Sequence, residues 1–284
     1  IWNGLRTPED SVICKGLLQD WVEWQTTADP AFEQLTRVLK RLSPDEQDVP
    51  LRPGAPKRVS LHDVRDMPTL AMPYGDVPVL HASAAMRRVA SLAYLLVWSF
   101  REHEKARTFL GRKPEHRIIF LIDEIEAHLH PRWQRVILPA MLEVTRGLAP
   151  RAKVQILATT HSPFVPLSVG TLVDEHRDAL WDLDLVQQKV TLTRRLWERR
   201  GDIEAWVTSA LFDLKTGRSL EGEAVLKDVE AVYRRAHTKG EQVTPEELAA
   251  VEVRLRAQLP EFDPLLDRWR EFKAHVLGKK AHEG

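Results

Sequence analysis

Two groups of polar residues, each set at the end of an apolar run, carry the side chains best suited to chemistry. Asp123 and Glu124 follow "RIIFLI" (Arg117 to Ile122), and Thr160, His161 and Ser162 follow "KVQILAT". A carboxylate in such a place can hold Mg²⁺, directly or through water, because that hard cation takes oxygen ligands and keeps several waters. A second acid beside it can accept a proton from a water attacking a γ-phosphate. A histidine at the neighbouring tip can donate a hydrogen bond to that phosphate as its charge grows. Each group taken singly has an equally good plain reading. Asp-Glu caps the helix beginning near His130, and His161-Ser162-Pro163 is a turn. Their joint placement favours chemistry.

The flanking segments must position these groups. "RIIFLI" is a continuous β-branched and aromatic run, as expected of a strand buried on both faces. "RWQRVILPAMLEVTRGLAP" reads as a helix ending near Gly147 and Pro150, and "KVQILATTHSPF" as a second buried strand with a polar turn. Strand, helix and strand at this spacing make a βαβ crossover, hence a parallel sheet with helices on its faces. In open sheets of that kind ligands bind beyond the carboxyl ends of the strands, where both polar groups stand.

Upstream, residues 9–42 read as helical. Leu17, Leu18, Trp21, Val22 and Trp24 cluster in one helix and Leu35, Val38, Leu39 and Leu42 in a second. "VPLRPGAPKRV" from Val49 to Val59 reads as a Pro-rich basic loop. Two short strands flank a Tyr74-Gly75-Asp76 turn, and a long helix from Met86 to about Glu104 should bury Leu92, Leu95, Leu96 and Trp98. Asp178 to Arg194 has the pattern of a hairpin turning at Gln187-Gln188, and from Asp202 onward the chain is helical and polar. Ser43-Pro44-Asp45-Glu46 and Thr244-Pro245-Glu246-Glu247 have the form of capping boxes, the second opening a helix to about Leu259.

The 284 residues carry 41 basic and 41 acidic side chains, a formal net charge of zero. That excludes a strongly basic nucleic-acid binder by bulk charge and leaves a local basic face open. Cys14 is the only cysteine, which excludes an internal disulfide framework and a cysteine-rich zinc site and fits a reducing, cytoplasmic setting. No apolar stretch reaches the roughly 20 residues needed to span a bilayer, and no secretory signal is present. The chain opens on Ile1 rather than Met, which suggests a piece of a longer protein.

"FLIDE" with "AHLHP", followed by "ILATTHSPF", resembles the Walker B, D-loop and H-loop of ABC-type ATPases. The likeness is to the branch with RecF, the overcoming-lysogenization-defect proteins, SMC-like proteins and related prokaryotic defence ATPases. "HASAAMRRVASLAYLLVW" resembles the signature segment of that branch, and the whole resemblance spans roughly residues 68–170. Ile125 replaces the usual proline, and Ala85 stands where glycine is common, which bears on how closely the backbone approaches phosphate.

The resemblance implies an α/β P-loop NTPase fold, a parallel sheet flanked by helices with helical additions at both ends. Residues 1–65 would be a helical segment and Pro-rich loop, 66–200 the C-terminal half of the ATPase core, and 201–284 a helical C-terminal region. It implies ATP and Mg²⁺ as cofactors, with Asp123 organising the metal, Glu124 polarising water and His161 sensing the γ-phosphate. Ser83, at a helix N-terminus that favours an anion, would contact the nucleotide of an opposite subunit, with positive charge from Arg87 and Arg88. A homodimer or higher oligomer closed around ATP follows.

His128 and His130 with Glu126 could on residue type be a metal site. Residues two apart entering a helix face away from each other, and in this family the segment lies against the partner subunit. The tail "WVTSALFDLKTGRSLEGEAVL" resembles a segment in ATPases of bacterial defence and repair operons, including Septu-type anti-phage systems, which work beside an HNH nuclease. Its plain alternative is a helical appendage packed by Trp206, Leu211 and Phe212. A phosphate loop G-x-x-x-x-G-K-[ST] is absent from these residues. Its nearest approach, Gly217 to Gly222, is followed by Glu223-Ala224 and would repel phosphate, so the loop is expected upstream.

The function so implied is an ATP-binding and hydrolysing subunit that controls a DNA-directed activity, such as anti-phage defence or DNA repair, with a partner nuclease and possible DNA, away from membranes. One alternative is a non-hydrolysing scaffold subunit with an ATPase-like fold. A weaker one is a metal-dependent nuclease through Asp182 and Asp184, as in Toprim domains. It lacks the preceding glutamate strand, and an exposed strand face is the plainer reading.

Overall fold

Val12 and Ile13 are β-branched, and the chain uses them in extended backbone rather than helix. In the computed structural model, which describes residues 1–44, 50–113, 117–148, 152–238 and 243–283, β1 (Leu5–Arg6) pairs antiparallel with β2 (Val12–Cys14). The helical expectation for residues 9–14 is therefore corrected. Gly16 makes the turn that follows at φ 94°, where a Cβ would lie 2.2 Å from the Gly4 backbone nitrogen. Helix α1 (Leu17–Thr26) then buries Leu17, Leu18, Trp21 and Trp24. Helix α2 (Pro30–Arg41) starts on Asp29, whose carboxylate accepts the Ala31 N–H, with Pro30 pre-set for the first turn. It buries Leu35, Val38 and Leu39 as the spacing predicts. The motif at residues 43–46 and the end placed at Pro150 fall partly outside the described residues.

β3 (Lys57–Arg58) and β4 (Asp66–Met67) form a second short antiparallel pair, and β5 (Thr69–Met72) and β6 (Gly75–Pro78) a third. Met72 pairs with Gly75, so the loop is Pro73-Tyr74, one residue earlier than expected. Helix α3 (Ala84–Phe109) exceeds its predicted length at both ends. Ser83 caps it by accepting the Met86 N–H at 3.3 Å. Its buried face is Val89, Ala90, Ala93, Tyr94, Leu96 and Val97, whereas Leu95 is 37% exposed, contrary to expectation.

Tyr94 knits this layer together. Its hydroxyl donates to Asp20 at 2.6 Å and lies 3.1 Å from the Cys14 sulfur, while its ring stacks on Trp24 at 5.6 Å. Burial pushes the Asp20 carboxyl above its ordinary range, against the downward pull of the Tyr94 hydrogen bond. A raised carboxylate pKa means that stability is full in acid and is lost as pH rises through the folded value. Asp20→Asn keeps an acceptor oxygen and removes the titration. We expect a higher Tm than the parent at pH 7 and no difference below about pH 4, where both side chains are neutral. Calorimetry at the two pH values checks this, and equal Tm at pH 7 would contradict it.

β7 (Arg117–Ile122) leads through α4 (Pro131–Gln134) and α5 (Ile137–Leu148) to β8 (Lys153–Ala158). The strands pair in parallel, from Arg117 with Lys153 to Ile122 with Ala158, as the crossover requires. Two features differ from the sequence reading. The single helix is interrupted at Arg135-Val136, because Pro139 has no N–H to bond the Arg135 carbonyl and its ring excludes that oxygen. β7 is also covered on one face only. Phe120, Ile122 and Ile156 pack on the core, while Ile119 and Leu121 are 61% and 78% exposed. Among the described residues the strands form five two-stranded sheets, and this pair is the parallel one, so a broad parallel sheet flanked on both faces is not formed.

After the short α6 (Phe164–Ser168), β9 (Leu180–Val186) and β10 (Lys189–Arg195) make the expected hairpin. Gln187 and Gln188 both take positive φ, 47° and 64°, as a two-residue turn matched to strand twist requires.

The chain divides into two compact units, Ile1–Ile203 and Glu204–Gly284. α7 (Ile203–Val207) carries the buried Trp206. In the second unit α8 (Leu220–His237), α9 (Pro245–Gln258) and α10 (Pro264–Glu283) enclose Val225, Val229, Val232, Leu248, Leu255 and Trp269. The Thr244 capping box forms in both directions. Gly217 to Gly222 serves as a helix start, with the Ser219 hydroxyl accepting the Gly222 N–H at 3.1 Å and Glu221 and Glu223 in the first turn. Among the described residues no helix is long and apolar enough to cross a membrane.

Candidate functional site

The parallel register that sets Ile122 against Ala158 also sets Asp123 against Thr159. The Thr159 hydroxyl donates to Asp123 Oδ1 at 2.5 Å and accepts the Glu124 N–H at 2.9 Å. The ladder continues past the strands, with Thr159 N–H donating to the Ile122 carbonyl at 3.0 Å and Ile125 N–H to the Thr159 carbonyl at 3.1 Å. Ile125 is buried at 2% exposure and anchors the turn in the core. Both acids are left exposed at the strand tip, held through one threonine.

Glu124 has φ 45°, a left-handed conformation that costs a side-chain-bearing residue about 1 kcal/mol. Strain of this kind, held by surrounding bonds, points toward a functional position. Glu124→Gly is expected to leave Tm equal to or above that of the parent, since glycine adopts this backbone freely. A fall in Tm would show that the carboxylate itself supports the fold.

His161 lies exposed at the tip of β8, and its backbone N–H donates to Glu126 Oε1 at 2.6 Å. Beside it Ser162 is buried, its hydroxyl donating to Gln134 Oε1 at 2.6 Å, while Gln134 Nε2 donates to the Leu129 carbonyl at 2.7 Å. Helix α3 joins the same cluster through Arg88, which donates to the Asp123 carbonyl at 3.3 Å. Arg87 donates to the Leu80 carbonyl at 3.2 Å. Asp123, Glu124 and His161 are thus on adjoining strand tips, and Arg88, five residues after the exposed cap Ser83, reaches the acidic turn.

An oxygen-only donor set with open access to water, Asp123 with Glu124 beside it, suits a hard divalent cation that retains its waters. His128 and His130 are exposed, and His130 Nδ1 accepts the Arg132 N–H at 3.3 Å as the cap of α4. Among the described residues no three His, Cys, Asp or Glu side chains converge as a metal cluster. Asp182 is gripped by Arg195 at 2.6 and 3.0 Å, and Asp184 accepts the Leu185 N–H at 2.7 Å.

Thr159 and Gln134 escaped the sequence reading, and Glu126 entered it only beside His128 and His130, not for its bond to the His161 backbone. Aligning the two strands end to end would have put Thr159 opposite Asp123. The other two act through side-chain reach, which spacing does not reveal.

Residues 74–168, which hold this cluster, match the family described as "AAA domain, putative AbiEii toxin, Type IV TA system", in keeping with the ATPase resemblance of the motifs. Two relatives are similar to this chain over segments of comparable length. The Septu protein PtuA of Bacillus mycoides (strain KBAB4) is 38% identical over 97 residues, 34% of this chain and 12% of that protein. The retron Ec83 probable ATPase of Escherichia coli is 33% identical over 96 residues, 34% of this chain and 15% of that protein. The matched segment is a small part of each relative's length.

Proposed function

We propose that this chain supplies the hydrolytic half of an ATP-binding site in a dimerising ATPase, with residues 66–200 as the working segment. The observation that carries the reading is the pair Asp123 and Glu124, locked by Thr159 at a parallel strand tip with His161 on the next. Asp123 would hold Mg²⁺, which supplies charge neutralisation at the phosphate oxygens. Glu124 takes a proton from the attacking water, in the role of general base. His161 donates a hydrogen bond to the γ-phosphate as negative charge develops. Ser83 and the free N–H groups opening α3, with Arg87 nearby, favour an anion and address the nucleotide of a second copy.

ATP-driven closure of the two copies then controls a DNA-directed activity, in anti-phage defence or DNA repair, through an HNH-type nuclease partner in the cytoplasm. The resemblance of the motifs and the names of the relatives support that setting. The reading needs a phosphate-cradling loop that residues 1–284 do not contain, so its test uses the protein as its gene encodes it. Light scattering should show a doubling of mass with ATP and Mg²⁺ for the Glu124→Gln variant and none without nucleotide. A mass indifferent to ATP would refute the nucleotide-bridged dimer.

A further inference from the structure

Glu126 has no part in the chemistry described so far, yet it spans the two turns that carry it. Its Oε1 accepts the His161 N–H at 2.6 Å, across 35 residues of sequence. Its Oε2 is buried and has no hydrogen-bond partner among the described residues. A half-buried carboxylate spends its one protein hydrogen bond on the backbone of His161, while the next residues are pinned separately by Ser162 to Gln134. The N–H of Ile125, just before Glu126, is tied to Thr159 as well.

From this geometry we propose that Glu126 is the positioning residue for His161, holding the turn so that the histidine stays at the strand tip beside that of the acidic pair. The inference rests on the ATPase reading above. A charge-assisted hydrogen bond to a backbone N–H is strong and directional. Losing it frees the turn without removing any group that touches nucleotide. Misplacing a reacting group by about 1 Å costs on the order of 100-fold in rate.

Three substitutions in the gene-encoded protein separate reach from charge. Glu126→Ala removes the acceptor, Glu126→Asp keeps the charge but falls a methylene short, and Glu126→Gln keeps the length and an acceptor oxygen. The expected kcat for ATP hydrolysis falls about 10- to 100-fold for Ala and Asp. For Gln it returns to within about threefold of the parent, as a retained acceptor should allow. KM for ATP should move less than about twofold in all three, because the change lies in the transition state and not in ground-state binding. Amide hydrogen exchange of residues 159–162 should quicken in Ala and Asp only. Parental kcat in Glu126→Ala, or an active Asp variant beside an inactive Gln variant, would overturn the proposal. If Ala proves unfolded, the contrast between Asp and Gln decides it. Glu124→Gln, run in parallel, separates the two readings. No turnover in the unsubstituted protein would refute the ATPase reading itself and parental turnover in Glu124→Gln only the role of Glu124 as base, whereas loss of turnover in Glu124→Gln with parental turnover in Glu126→Ala would refute only the positioning role.

Discussion

Glu124→Gln in the gene-encoded protein is expected to cut ATP turnover by about 100-fold or more while leaving nucleotide binding within a few-fold of the parent. The magnitude is that of a positioned general base, roughly 10²- to 10⁴-fold. The amide matches the acid in size and cannot take the proton. Structure should survive the change, because the position is tied to Thr159 through its backbone N–H and not through the carboxylate. Asp123 likewise keeps its own bond to Thr159. Phosphate release at saturating ATP and Mg²⁺, with binding measured by calorimetry, gives both numbers. Undiminished release would remove Glu124 from the role of base.

Trp269→Ala is expected to unfold the second unit while the first stays intact. Trp269 is wholly buried, with its ring 6.1 Å from Tyr233 and 5.6 Å from Phe272. Removing such a side chain costs about 3–5 kcal/mol. A unit of roughly 80 residues has a total stability of about 4–12 kcal/mol. The loss is therefore a large share of what holds α8, α9 and α10 together. The indole N–H has no hydrogen-bond partner among the described residues, so Trp269→Phe sacrifices no such bond and should keep the unit folded. Hydrogen exchange resolves the outcome by segment. Protection should vanish in α8 and α9 and persist in β7 and β8. Loss of protection throughout would show that the two units do not unfold independently.

The elements around the site were largely legible. "RIIFLI" is a strand with the expected bounds, "KVQILATTHSPF" holds the second strand as expected, over Lys153–Ala158, and their parallel pairing follows from the helical residues between them. Gln187-Gln188 and the Thr244 box were also readable, because each is a local signal with a local cause. β1 and β2, two and three residues long, are too short for any periodicity to register. The open face of β7 was hidden for a different reason. An unbroken apolar run looks the same whether its second face is covered or bare, and only packing reveals Ile119 and Leu121 in solvent. At the candidate site, residue type and order singled out Asp123, Glu124 and His161, which the structure places on adjoining strand tips. The bonds by which Thr159, Glu126 and Arg88 bind them together depend on register and reach, which become visible only in three dimensions.

The most direct test is a structure of the gene-encoded Glu124→Gln protein with ATP and Mg²⁺. The account predicts Asp123 in the shell of the metal, position 124 facing the water in line with the γ-phosphate, and His161 within hydrogen-bond distance of that phosphate. Ser83 of a second copy should close the site from the other side. Nucleotide bound elsewhere, with the Asp123 and His161 tips facing bare solvent, would contradict it.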